Sequence, residues 1–523
     1  MVISEDLKVD YLLVNTTNEF LLEYAPIEEN SCYNLTGFTG DTGDSLLCSN
    51  GSVILFVDGR YHAQADKEVD SKKVTVYKLK LGQKQDDAIC ETIKPNSTLG
   101  IISKKVSQRR FEYIKTLLKE INVEVKLIDN DIFEKPFNRR PSSAEIISPN
   151  ITGKSFSEKI SEISKPALFT NSEEISYLCN LRNFNQDYAV KIDGKLLLTD
   201  SDCVLYTDTL IPEQKDFRVK SLAEFDFDII KISGKINVDK GTINAHDYNL
   251  IKNPDPWVSP VKKMKSVKNS SEIEHLKYCF SMTDKALMQT RDFIYNNDNI
   301  SEYDIDKELT KNFKTYGAKL LSFKSIVARN ENSALAHYMK SSKEEIVKDG
   351  DLILIDCGGY YEGGLATDIT RVFVKGTPNQ THKKIYTTVL KMFLNALNYQ
   401  VTEGQTSGYE IDRYTRLYLE NNKINDFAFS HGLGHGIGVC VHENPPNLSM
   451  NEVAKTPIQN NMCFTIEPGL YNDKEFGVRL ENSCYLEDGI IKSFSNMCYE
   501  KKLIDYSMLT ENEKTWLSEF EVL

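Results

Sequence analysis

Apolar residues along this chain recur with two periods, and segments of the two kinds alternate. Short runs such as VILFVD (53–58), CVLYTD (203–208) and DLILID (351–356) are apolar at consecutive positions. That is the pattern of strands buried on both faces. DITRVFV (368–374), MCFTI (462–466) and FGVRLENSCYL (476–486) predict further strands. In KNSSEIEHLKYCF (268–280), Ile273, Leu276 and Phe280 recur at helical spacing around a capping-box pattern at Ser271 and Glu274. THKKIYTTVLKMFLNAL (381–397) and GYEIDRYTRLYLENN (408–422) read as helices. Strands interleaved with helices predict α/β and α+β domains.

The 523 residues are too many for one ordinary core. YNLTGF (33–38) and CNLRNF (179–184) share Asn-Leu-x-x-Phe, and VILFVD and CVLYTD follow them at comparable distances. A repeat this long is no solenoid period and implies two similar α/β domains in tandem. PFNRRP (136–141) and NPDPWVSP (253–260) cannot continue a helix or central strand. The expected domains are 1–147, 148–263 and 264–523, the last opening with an amphipathic helix and holding an extensive sheet.

Composition narrows the classes. Hydrophobic residues at 40% and charged residues at 27% mark a globular protein. A net charge of −13 without a clustered basic face argues against nucleic acid or an anionic membrane as partner. The start, MVISEDLKVDYLLV, carries acids where a signal peptide needs basic residues, and no apolar run reaches the ~18 residues of a spanning helix. Eleven scattered cysteines without a CxxC pair suit reduced thiols. A cytoplasmic protein is expected, in which the sequons at Asn15, Asn34, Asn50 and Asn96 are chance matches.

Five polar residues interrupt the apolar pattern of the third domain: Asp356, Asp368, His435, Glu467 and Glu481. Singly, each has an ordinary explanation. Asp356 suits a turn or cap, Asp368 an ion pair with Arg371, and Glu481 one with Arg479. His435 suits a satisfied core position, and Glu467, before Pro468, a solvated loop. Together they need a common partner, because burying unpaired carboxylates costs about several kcal/mol each. Two divalent cations balance four carboxylates, and oxygen donors with one imidazole suit manganese, cobalt or zinc. In HGLGHGIGVCVHENPP (431–446), an extended 431–439 would turn His431 and His435 to one face and its glycines to the other. The bare backbone would admit a neighbouring strand or a substrate chain. Ile437 stands where a dinucleotide-binding GxGxxG starting at Gly432 would need glycine.

DCGGYYEGGLATDITRVF, HGLGHGIGVCVHENPP and FTIEPGLYNDKEFGVRLEN, in this order, resemble the creatinase/aminopeptidase superfamily of "pita-bread" metallopeptidases, and most closely its Xaa-Pro aminopeptidases. YNLTGFTGDTG and FVDGRYHAQAD resemble that family's N-terminal domain. The resemblance implies two tandem creatinase-like α/β domains ahead of a pita-bread α+β catalytic domain. It implies that Asp356 chelates one metal, Asp368 and Glu481 bridge both, and His435 and Glu467 complete the shell of the second metal. Glu467 becomes the general base, His442 a stabiliser of the oxyanion, and His337, His431, Arg479 and Arg60 substrate-binding or orienting groups, with His337 and His431 counted among the catalytic set. The implied reaction releases the first residue of a peptide whose second residue is proline, with manganese the expected metal and a homodimer the expected assembly. The alternatives are an Xaa-Pro dipeptidase, a creatinase-like amidinohydrolase or a non-catalytic binding module. The interval from Asp356 to Asp368, 368 − 356 = 12, is one longer than the resemblance implies. An extra turn residue or a bulge would preserve the site, whereas a one-residue slip would turn Asp368 away.

Overall fold

The computed structural model describes residues 7–80, 82–135, 142–421, 424 and 426–520, so PFNRRP lies outside the described residues. The chain divides into two compact units: Met1–Glu145, Phe156–Leu181 and Lys191–Pro260 form one, and Ile146–Ser155, Arg182–Val190 and Val261–Leu523 the other. Segments 148–155 and 182–190, expected within a second domain of 148–263, therefore group with the third-domain residues.

The first unit holds two six-stranded sheets of one design. In the first, Tyr11–Asn15 pairs antiparallel with Asp44–Cys48, which continues antiparallel to Val53–Val57 and then parallel to Val74–Lys78. On its other edge come Thr98–Ile102 and Glu124–Ile128, both parallel. In the second sheet Ala167–Phe169 holds the place of Tyr11–Asn15, flanked by Lys195–Leu198, Cys203–Tyr206 and Arg218–Lys220 on one side and Ile236–Asp239 and Pro254–Trp257 on the other. The pairing directions repeat in the same order. The two apolar runs matched in the sequence, VILFV and CVLY, occupy equivalent third strands. The helices before them, Ser31–Thr36 and Ser172–Leu178, each follow the central strand.

In the second unit, the described residues form an eight-stranded antiparallel sheet in the order Ile326–Arg329, Leu352–Cys357, Ile369–Val374, Glu481–Glu487, Cys463–Ile466, Gly434–Gly436 and Glu443–Leu448. Ile490–Ser493 pairs with Glu481–Glu487 beside this path. Ile353, Ile355, Cys357, Ile369 and Phe373 pack against helices Ser270–Asn296 and Glu302–Thr315. Leu352, Leu354, Val372 and Val374 face the opposite way, against Gln380–Leu397 and Gly408–Asn421. Helices on both faces explain why DLILID lacks an apolar–polar alternation. This is the pita-bread arrangement behind two creatinase-like domains.

Three local expectations are corrected. The first long helix is capped by Asn269, whose side chain accepts from the Glu272 N–H at 3.1 Å while the Glu272 carboxylate accepts from the Asn269 N–H at 3.0 Å; Ser271 and Glu274 lie inside it. Asparagine caps as well as serine, and here the earlier cap leaves Ile273 and Leu276 on the core face. FGVRLENSCYL is two strands: Gly477–Arg479 pairs with Gly469–Tyr471 in a separate ribbon, and the large sheet resumes at Glu481. Of 431–439, only Gly434–Gly436 is strand, because its pairing with Glu443–Leu448 shifts register after His435.

Candidate metal centre

The interval of twelve is resolved by the hairpin register. Leu352–Cys357 and Ile369–Val374 pair without interruption, Asp356 opposite Thr370 and Cys357 opposite Ile369. A bridge between Tyr360 and Ala366 continues the same register toward the turn. The additional residue is thus absorbed at the turn around Gly363, where Gly364 takes φ +60. Asp356 and Thr370 share a face as a cross-strand pair, and Asp368, two residues from Thr370, shares it too. Thr370 in turn pairs with Glu481 on the next strand. Cys357 points to the opposite face, as its parity requires.

His435 reaches this face from the glycine-rich segment. Its Nδ1 lies 3.0 Å from the Gly436 carbonyl, which can only accept, so Nδ1 donates there and Nε2 is turned toward the acids. That Nε2 is 3.5 Å from both Asp368 Oδ2 and Glu467 Oε1. Donor atoms of Asp368, His435 and Glu481 all lie within 4.8 Å of one another. The alternating glycines make this approach possible. A Cβ on Gly434 would stand 2.0 Å from the Thr465 carbonyl oxygen, one on Gly436 2.1 Å from that of Glu443, and one on Gly438 2.5 Å from the Glu443 carboxylate. The backbone is bare because neighbouring strands and a buried carboxylate fill the space where side chains would be.

The electrostatics suit a cation. Asp368 and Glu481 are fully buried, and Asp356 Oδ1, Asp368 Oδ1 and Glu481 Oε1 are buried without a hydrogen-bond partner. Burial, followed by the charges of Glu481, Asp356 and Glu467, pushes the Asp368 carboxyl well above its ordinary range. Burial and the charges of Glu467 and Asp356 do the same to Glu481. Acids left so incompletely satisfied are the donor set of a hard divalent ion. The residues present fit such an ion: carboxylate oxygens, one imidazole nitrogen and no thiolate.

Around the acids lies a network that sequence reading missed in part. Arg479 is buried and donates to Asp356 Oδ2 at 2.5 Å, to the Thr370 hydroxyl at 3.2 Å and to the Tyr471 hydroxyl at 2.7 Å. Burial opposes its charge, yet Tyr471, Asp356 and Glu467 hold its pKa above the ordinary arginine value. Thr370 donates to Glu481 Oε2 at 2.7 Å. The suggested Glu481–Arg479 pair is therefore an Asp356–Arg479 pair. Arg371 does not meet Asp368; it donates to the carbonyls of Cys498, Thr370, Glu481 and Met497 and to Asn482 Oδ1. Its own strand carries it to the face opposite Asp368. Thr370 was legible through its parity with Asp368; Tyr471 belongs to a ribbon that no sequence period announced.

The remaining candidates are placed as follows. His431 Nε2 lies 2.8 Å from the Tyr471 hydroxyl, which joins it to Arg479 and thence to Asp356. His442 packs edge-on against His435, with ring centroids 4.4 Å apart. The adjacent Glu443 carboxylate is buried between Lys268 at 2.6 Å and Lys265 at 3.3 Å. His337 lies in the loop that follows the turn Asn330–Ala334. Ser333, four residues before it, exchanges hydrogen bonds with the Gly477 N–H and carbonyl, two residues ahead of Arg479. Arg60 belongs to the first unit, where its guanidinium bonds Asp58 and Thr42.

A sheet covered by helices on both faces, with buried carboxylates and one imidazole converging on it, defines a metal-dependent hydrolase of the pita-bread type. Residues 274–488 match metallopeptidase family M24 and residues 3–132 the creatinase/prolidase N-terminal domain, so the chain carries a domain of each kind, the first of them the domain of enzymes that hydrolyse peptides. It is 27% identical to Xaa-Pro aminopeptidase 1 of Dictyostelium discoideum over 576 aligned positions, spanning 99% of this chain and 90% of that one. The X-prolyl aminopeptidase of Caenorhabditis elegans, described as a cytosolic enzyme with a di-nuclear active site, superposes with a TM-score of 0.88 at 21% identity, over 98% of this chain and 90% of that one. The prolidase of Pyrococcus horikoshii OT3 superposes with a TM-score of 0.54 at 24% identity, over 65% of this chain and 96% of its own.

Proposed function

We propose that this protein is a dinuclear-metal aminopeptidase that releases the N-terminal residue of peptides with proline in second position. The observation that carries the reading is the convergence of partnerless buried oxygens of Asp356, Asp368 and Glu481 on a face shared with His435. Asp356, Asp368, His435, Glu467 and Glu481 would hold the two ions, Asp356 serving the first, His435 and Glu467 the second, and Asp368 and Glu481 both. Manganese is the proposed metal, with zinc or cobalt as alternatives. Bound ions of this kind bring the pKa of water down toward neutrality. Glu467 takes the proton from the attacking water, as a carboxylate beside the imidazole of His435 can. His442 faces the developing oxyanion, and Arg479 orients Asp356 while Thr370 orients Glu481. His337, His431 and Arg60 are assigned to the substrate on the resemblance alone. Residues 264–523 carry the catalysis, within the unit that also takes in Ile146–Ser155 and Arg182–Val190. A cytoplasmic homodimer is the proposed form.

Proline supports the division of labour, because its tertiary amide has no N–H and its φ is fixed, so a general aminopeptidase pocket fits it poorly. The second six-stranded sheet speaks against the prolidase reading, since the Pyrococcus horikoshii prolidase superposes on 65% of this chain. The test is a panel of Xaa-Pro, Xaa-Pro-Xaa and Xaa-Ala-Xaa peptides with manganese and with zinc. Cleavage of Xaa-Pro-Xaa alone supports the reading; cleavage confined to Xaa-Pro dipeptides moves the protein to the prolidases. Urea release from creatine would instead mark an amidinohydrolase. Purified protein without metal or turnover would mark a binding module.

A further inference from the structure

Glu302 has no place in the chemistry proposed above, yet its carboxylate is among the most fully satisfied buried acids in the second unit. It is wholly buried at the start of helix Glu302–Thr315. One oxygen accepts from the Arg329 backbone N–H at 2.6 Å and from Asn332 Nδ2 at 3.0 Å. The other accepts from the Tyr338 hydroxyl at 2.8 Å and from the Ser342 backbone N–H at 3.0 Å. All four donors come from one segment, residues 329–342, which leaves the sheet at Arg329 and carries His337.

This is an unusual use of a carboxylate. Beyond the turn Asn330–Ala334 the loop has only scattered backbone bonds, such as that from the Tyr303 N–H to the Ser342 carbonyl, and a buried acid is costly unless hydrogen bonds surround it. Glu302 meets both needs at once by clamping the loop at its two ends and at two points between. Asn332 also donates to the Tyr338 hydroxyl at 3.1 Å, which closes the cluster. The Ser333–Gly477 exchange anchors the same loop beside the strand of Arg479. Tyr338 directly follows His337, so pinning the tyrosine ring on Glu302 fixes the backbone at the junction and with it the direction of the histidine.

We propose that Glu302 is a positioning residue that presents His337 to the substrate by holding the 329–342 loop in one conformation, an inference that rests on the aminopeptidase reading. Gln in its place keeps one carbonyl acceptor but turns an N–H toward donors of the other pair, so one end of the loop loses its anchor. The test is a double-mutant cycle of Glu302→Gln and His337→Ala on an Xaa-Pro-Xaa peptide, with Tyr338→Phe as a milder variant that removes the tyrosine's bonds to Glu302 and Asn332 and leaves the carboxylate its other three. Glu302→Gln is expected to lower kcat/KM about tenfold with metal content unchanged, and Tyr338→Phe a few-fold. In the His337→Ala background, Glu302→Gln is expected to cost less than twofold more, because both changes remove the same contact. Losses that multiply, or a Glu302→Gln enzyme with unchanged kcat/KM, overturn the proposal.

Hydrogen exchange separates this inference from the functional reading. At least one of the Arg329 and Ser342 amides should exchange faster in Glu302→Gln, and in Tyr338→Phe should the first variant not fold. Unchanged protection at both refutes the clamp. A wild-type enzyme that cleaves no Xaa-Pro peptide would refute the aminopeptidase reading while the exchange result still decides whether Glu302 holds the loop.

Discussion

Replacing Thr370 with valine removes one hydroxyl from the centre and almost nothing else, since the two side chains are nearly the same shape. The hydroxyl donates to Glu481 Oε2 at 2.7 Å and accepts from Arg479 Nε at 3.2 Å, and both partners are buried. Water cannot replace either bond without opening the sheet. A hydrogen bond to a charged group contributes about 1.5–3 kcal/mol. Glu481 Oε1 already lacks a protein partner, so the valine variant leaves the carboxylate free to rotate away from the position shared with Asp368. If that energy falls on the preorganisation of the metal ligands, affinity for the divalent ion drops by about 10- to 100-fold, at about 1.4 kcal/mol per tenfold. Titration of metal-free protein with manganese against a fluorescent chelator measures the change directly, and far-UV circular dichroism checks that the fold persists. A dissociation constant within twofold of wild type, in a folded variant, would refute the assignment of Thr370 and Glu481 to one metal-binding unit.

Glu467→Gln should abolish peptide turnover while leaving thermal unfolding within a few degrees of wild type; near-wild-type kcat would remove Glu467 from the role of base. Gly434→Ala drives a methyl to 2.0 Å from the Thr465 carbonyl oxygen and should cost about 2 kcal/mol or more, read as a lowered urea midpoint. The buried Asp412 carboxyl, bonded to Arg416, is pushed up by burial from 3.8 to about 6. The folded state then holds a proton that the unfolded chain has lost, so this group lowers stability progressively as pH rises from about 4 to about 6. Asp412→Asn should gain stability relative to wild type across that window, by up to about 3 kcal/mol. Urea unfolding of both proteins at pH 4, 5, 6 and 7 checks this, and a pH-independent difference would contradict it.

Much of this protein was legible in its residues because the relevant constraints are local. A run buried on both faces must be apolar at every position, so DLILID announced a central strand, and the acid ending it stood out. Even the faint likeness of VILFVD to CVLYTD was real, since equivalent strands of two similar sheets meet the same packing demands. Glycine at alternate positions from 432 to 438 likewise signalled close approach. The neighbours themselves, the carbonyls of Thr465 and Glu443, come from distant segments.

What the residues alone left open was register and partnership, which depend on how far-apart strands align. Whether the interval of twelve kept Asp368 on the side of Asp356 turned on where the extra residue lodged, and the pairing of Asp356 with Thr370 decided it. Which acid Arg479 meets could not follow from its closeness to Glu481 in the chain, because the strand breaks between them and the guanidinium reaches Asp356 instead. Nothing in the pattern of the chain singles out Glu302. Its clamp on residues 329–342 exists only once the helix and the loop are brought together, since a carboxylate's partners are set by the fold around it.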